Sequence, residues 1–345
     1  MENTKRYVYI DALRIIAIMC IIFNHSGVSG FFLYTTTDNF MLQCISIFIS
    51  SFCKIGVPLF FMISGALLLG KQESCKELLI KRILRYVVIL FVFSTIRFLY
   101  RVHTGEITYR FADLIRQIAT GQVFTPYWFL YSYLGFLIGL PILRRMAKTF
   151  EKNDYLYLFL IYVIAGGIFG LIARTPVGSI AVAIPFTADV IVYPMLGYFI
   201  ANKLKEQDFS AKSLLMLTAV SIVGLLLDVA VTEYDYHTFG GWNEAGLSLF
   251  IIFPATAVFF GVKYFFEKVH VPSLIETIIC TIGSCTFGVY LLEGYIKDYC
   301  GIIQKYMCMV MPHSLAAVIY LFCIMLIGAF ITFFLKKIPV IRRLF

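Results

Sequence analysis

Apolar residues run along this chain in ten long stretches, near residues 7–27, 43–69, 84–103, 126–143, 155–173, 180–201, 212–232, 246–266, 274–299 and 315–335, with short polar connections between them. A helix needs ~20 apolar residues to cross a bilayer core. The pattern therefore predicts an all-α polytopic membrane protein with about ten transmembrane helices. The first stretch outruns the apolar region of a signal peptide and lacks a clear small-x-small cleavage site, so it is read as a helix. The tail "FFLKKIPVIRRLF" follows the last stretch directly, and no low-complexity linker interrupts the series. One membrane domain over residues 1–345 is expected.

Composition agrees with this pattern. Only 14% of residues are charged and the mean hydropathy is +0.87, whereas soluble domains carry roughly 25% charged residues. A net charge of +9 raises the question of a nucleic-acid partner, but the distribution of the 29 Lys and Arg residues gives a simpler answer. Twenty lie in the termini and alternate connections, six (Arg101, Arg110, Arg116, Arg174, Lys297, Lys305) on the other side, and Arg14, Lys54 and Arg97 within helices. By the positive-inside rule both termini are cytoplasmic in a multi-pass cell-membrane protein. The expected surroundings are membrane lipid, with no nucleic acid. Nine cysteines lie mostly in apolar stretches, without C-x-x-C or zinc-type spacing, so no metal is expected. Most read as small core residues; a Cys300–Cys308 disulfide on the outer side is the alternative for that pair.

Two outer connections are long. In residues 102–125 the run "YRFADLIRQIA" places Phe111, Leu114, Ile115 and Ile118 on one helical face, to lie on the membrane surface or to pack on the bundle. Residues 233–245, "EYDYHTFGGWNEA", read as a loop, either a sugar-stacking surface or an aromatic interface segment.

The first stretch contains "DALRIIAIMCIIFNH". On a helix Arg14 and His25 lie about 20° apart around the axis and roughly 16 Å apart along it. Asp11 falls on the same stripe, spaced to pair with Arg14. Charges inside a membrane face protein or water and commonly mark pathways or reaction centres. The bland alternative is a satisfied Asp11–Arg14 pair with His25 capping the outer end. Arg97 and Glu293 are expected at a depth similar to His25, Lys54 near the middle of the second helix, and Asp189 and Asp228 within the sixth and seventh. An imidazole with a carboxylate suits general-base catalysis or a proton relay. In the second helix Pro58 is expected to bend or break the chain, with Ser64 and Gly65 allowing close approach. Beyond it, Lys81, Arg82 and Arg85 form a basic group suited to phosphate, to lipid headgroups or simply to topology.

Together these pieces resemble the acyltransferase-3 family of integral membrane acyltransferases, in particular its surface-polysaccharide O-acetyltransferase branch. "DALRIIAIMCIIFNH" looks like the family's opening R-to-H helix, and "IGVPLFFMISGALLL" with "KRILRY" resembles its second helix and basic segment. "TPYWFLYSYLGFLIGLPIL" resembles its W-F-L helix and "IGSCTFGVYLLE" its late motif. The resemblance implies an acyltransferase-3-like domain moving an acetyl group from cytosolic acetyl-CoA to a hydroxyl presented outside. It makes His25 the base or acyl relay, sets Arg14 along the donor channel, and assigns the CoA phosphates to Lys81, Arg82 and Arg85. Asp11, Lys54, Ser64, Arg97 and Trp128 then belong to the substrate path, although Ser64 also suits helix packing and Trp128 an interfacial anchor. The late motif ends here in Glu293 where the family often has His, and Tyr127 precedes Trp128 where His is often found. Glu293 is thus a second catalytic candidate, to orient His25 or to meet an acceptor amine. This branch is also similar to the membrane half of the serine racemases of vancomycin resistance. The acceptor classes are accordingly a cell-surface glycan, a cell-wall precursor or serine.

The competing reading is a secondary transporter of a small polar substrate such as serine, motivated by the broken second helix and the intramembrane acids. Against it, residues 1–170 and 171–345 show no convincing internal repeat.

Overall fold

The computed structural model describes residues 7–204, 208–240, 247–339 and 341–344, and every regular element among them is helical. The chain divides into two compact units, one formed by residues up to Leu67 and from Phe150 onward, the other by Leu68–Thr149.

In the first unit, α1 spans Val8–Asn24, α2 Phe40–Cys53 and α3 Gly56–Leu68, whose last residue falls in the second unit. After the second unit, α7 covers Lys152–Ile172 and α8 Asp189–Tyr198, continued by a π turn over Phe199–Lys203. Then come α9 (Ala211–Phe239), α10 (Leu247–Lys268), α11 (Ser273–Gly283), α12 (Thr286–Val310) and α13 (His313–Leu335). The second unit holds α4 (Cys75–His103), α5 (Phe111–Thr120) and α6 (Trp128–Thr149).

Helices fall in all ten expected stretches, but among the described residues seven are long and apolar enough to cross a membrane, or eight when α11 and α12, bent by 53°, count as one span. The other two are short. α1 has 17 residues, and α8 starts only at Asp189 because residues 177–188 are not helical. Pro185 disfavours helical geometry in the residue before it and Phe186 takes a positive φ of 66°, so the helix begins only after them. The chain is a multi-pass membrane protein.

The break in the second stretch lies at Lys54–Ile55 rather than at Pro58. Pro58 sits in the first turn of α3, where its missing N–H has no intrahelical partner to lose. At the break Asn24 Nδ2 donates to Cys53 O at 3.0 Å, so the end of α1 satisfies a carbonyl that α2 leaves open. Two glycines let α3 and α8 meet backbone to backbone. A Cβ on Gly65 would lie 1.9 Å from Pro194 O, and one on Gly197 would lie 2.0 Å from Met62 O.

Other expectations change where tertiary packing intervenes. Residues 233–239 extend α9 instead of forming a loop, and residues 241–246 lie outside the described residues. In α5, Leu114 and Ile118 pack with Phe98 and Val123, whereas Phe111 and Ile115 face outward, so the apolar stripe is divided between the bundle and its surroundings. None of the nine cysteines, all of them among the described residues, is in a disulfide. Cys300 and Cys308 sit eight residues apart on α12, roughly 12 Å along the axis, too far for a disulfide.

The Gly65 contact generates a stability prediction. Gly65→Ala should destabilise the detergent-solubilised protein by about 1–3 kcal/mol through overpacking. Gly135→Ala, whose Cβ would meet nothing within 4 Å, should not. Thermal melting of the two variants against the parent checks this.

Candidate active site

The C-terminal end of α1 and the second turn of α12 build the most distinctive polar contact. His25 caps α1, donating its backbone N–H to Ile21 O at 3.0 Å. Its ring Nδ1 lies 2.9 and 3.0 Å from the two oxygens of Glu293, which is 3% exposed. The ammonium of Lys297, one turn further along α12, bonds the main-chain carbonyl of His25. With Nδ1 engaged by the carboxylate, Nε2 is left for a substrate.

The late motif explains why α12 reaches His25. At Gly283 a Cβ would meet Asp11 Cβ at 2.5 Å, and at Gly288 it would meet the Thr332 side chain at 2.3 Å. These glycines seat the bent pair against α1 and α13. Thr286 Oγ1 donates to Gly283 O at 2.9 Å and Lys336 Nζ to Ser284 O at 3.0 Å, so the bend keeps its carbonyls satisfied.

Asp11, 1% exposed, accepts from Arg14 NH1 at 2.9 Å, three residues on. Lys54 stands 4.6 Å above the Phe31 ring and within electrostatic reach of Asp228. Ser64 donates to its own helix at Phe60 O, 2.8 Å away, in keeping with a packing role. At the N-terminal end of α1, Tyr7, Tyr9, Asn202, Lys263, Glu267 and Glu276 are among the residues lining a cavity of about 360 Å³.

The remaining candidates belong to the second unit. Arg97, 7% exposed, lies against the rings of Phe124 (4.6 Å) and Tyr100 (5.1 Å), while Trp128 at the start of α6 is 49% exposed. Lys81 pairs with Glu77 at 3.0 Å and Arg85 is exposed. Arg82 directs its fork at Glu73, with Nε 2.9 Å from Oε2, and Arg144 reaches the same oxygen at 2.8 Å. The Arg82 guanidinium, with Arg144, holds the Glu73 carboxyl down at about 2. Sequence reasoning missed Glu73 and Arg144 because residues nine and 71 positions apart carry no periodic signal. Lys297 was visible as an i+4 neighbour of Glu293 but counted only as a topology charge.

Of the two acids expected within the sixth and seventh helices, Asp189 accepts a hydrogen bond from Tyr162 at 2.7 Å and Asp228 lies within electrostatic reach of Lys54 and Arg174. Asp235 and Glu233, expected in a loop, sit on α9 with partners of their own: Arg174 pairs with Asp235, and His237 lies 3.0 Å from Glu233. Among the described residues no group of three or more His, Cys, Asp or Glu side chains is placed to hold a metal ion.

An imidazole oriented by a buried carboxylate at a helix end, inside an apolar bundle, is equipment for proton-transfer chemistry in a membrane enzyme. The acyltransferase domain model of the acyltransferase-3 family matches residues 7–339, and the chain belongs to that family: it is a membrane acyltransferase. Searches of curated proteins and of solved structures found no match.

The Glu73 site predicts a pH dependence. A carboxyl held below its ordinary value stabilises the fold above about 4.5, and that contribution is lost as pH falls toward about 2. Melting curves of the parent and Glu73→Gln should therefore differ at neutral pH and converge across this window.

Proposed function

We propose that the protein transfers an acetyl group from cytosolic acetyl-CoA to a hydroxyl of an acceptor on the extracytoplasmic side, with His25 as general base. The observation that carries this reading is the pairing of His25 Nδ1 with buried Glu293, joined to membership of an acyltransferase family. Glu293 fixes the tautomer that leaves Nε2 as a base and stabilises the imidazolium formed when it takes the hydroxyl proton. The acceptor oxygen then attacks the thioester carbonyl. Collapse of the tetrahedral intermediate breaks the C–S bond, and the thiolate recovers the proton from His25. An apolar surround limits hydrolysis of the donor.

The basic bias of the connections favours cytoplasmic termini, which puts the α1 N-terminal end on the donor side and His25 on the acceptor side. In this reading Arg14, held by Asp11, lines the donor path. Lys81 and Arg85 contact CoA phosphates, and Arg82 shapes that segment through Glu73 rather than meeting phosphate alone. Lys54 serves the acceptor in the first unit, Arg97 and Trp128 serve it in the second, and the single family match over residues 7–339 supports one acyltransferase domain. Short α1 and α8 complete ten crossings. The acceptor is a surface glycan, a cell-wall precursor or serine. Transport is disfavoured because residues 1–170 and 171–345 show no convincing internal repeat, and Asp189 is already engaged by Tyr162.

His25→Ala should abolish transfer from labelled acetyl-CoA to an acceptor panel while leaving acetyl-CoA binding intact. Full turnover by that variant would sink the assignment. Glu293→Gln should lower kcat by roughly 10² or more, with little change in KM for the donor.

A further inference from the structure

We infer that Lys297 is a positioning residue for the acyl transfer, holding His25 by its backbone while Glu293 holds the same residue by its ring. The inference rests on the reading of His25 as the base. Glu293 and Lys297 are four residues apart on α12, which puts them on one face and about 6 Å apart along the axis. One helix therefore grips one residue at two points, Nδ1 and the main-chain carbonyl.

The second point matters because of where His25 sits. α1 ends at Asn24, and the chain then turns through short 3₁₀ segments at Gly27–Ser29 and Leu33–Thr36, with Gly27 at φ 63°. The carbonyl of a helix-capping residue has no intrahelical donor to hold it. Asn24, its neighbour, is committed to Cys53 O. A carboxylate on Nδ1 alone would let ring and backbone swing together as the helix end frays. The ammonium on the carbonyl removes that motion and is favoured by the negative end of the α1 dipole. The direction of Nε2 is thereby referenced to α12, a 25-residue helix, instead of to a helix end.

The test uses full-length protein in detergent with labelled acetyl-CoA and a panel of N-acetylglucosamine oligosaccharides and serine. Lys297→Met should lower kcat by about ten- to a hundredfold, the scale expected of a misplaced base, with acetyl-CoA KM and binding changed by less than about twofold. Lys297→Arg, which keeps a cationic donor, should restore most of the rate, and Lys297→Gln part of it. A kcat within about twofold of the parent in Lys297→Met, or equal losses in the Arg and Met variants, would overturn the assignment. So would loss of the folded protein in the Met and Gln variants alike, which would make Lys297 a stability residue. His25→Ala run in parallel separates the two failures: an active His25→Ala refutes the base and with it the positioning role, whereas an inactive His25→Ala beside a parent-like Lys297→Met refutes the positioning role alone.

Discussion

The contact between His25 and Glu293 joins residues 268 positions apart, and most of the surrounding architecture serves to make it. A buried carboxylate costs several kcal/mol unless it is paired and hydrogen-bonded. The pairing in turn demands that α12 approach α1 to within hydrogen-bonding distance. Gly283, at the end of α11, lets the bent pair close against Asp11 of α1, and Gly288 seats α12 against Thr332 of α13, both by having no side chain. The bend between α11 and α12 then directs the second turn of α12 at the end of α1. Packing without side chains thus precedes chemistry here.

The same logic, with the opposite sign, shapes the basic segment of the second unit. Arg82 and Arg144 converge on a single carboxylate, Glu73. Two guanidiniums on one acid leave a local excess of positive charge while fixing its geometry, which suits an anion better than a flexible lysine cluster would. Lys81 and Arg85, by contrast, remain at the surface. What reads as one basic motif in the sequence is physically a fixed arginine with two exposed neighbours.

Much of the fold was legible because bilayer thickness and helical rise constrain it tightly: apolar length alone located helices in all ten stretches. It failed where local chemistry competes with hydropathy. Pro185 delays α8 to Asp189, and Pro58 is tolerated in a first turn while the break falls at Lys54. Residues 233–239 look like a polar loop but continue α9, where Arg174 and His237 partner Asp235 and Glu233. For the site, the 3.6-residue period sets Asp11, Arg14 and His25 on one stripe. It cannot say which distant helix meets that stripe, so the involvement of Lys297 and of Glu73 with Arg144 emerges only from tertiary structure.

The Asp11–Arg14 pair has a consequence for biogenesis. α1 is synthesised well before Gly283 and Glu293, which pack against it and pair with its last turn. Until these residues emerge, α1 must sit in the translocon or bilayer without them. A carboxylate and a guanidinium three residues apart neutralise one another from the moment the helix forms. The His25–Glu293 pair therefore forms only after α12 has been made.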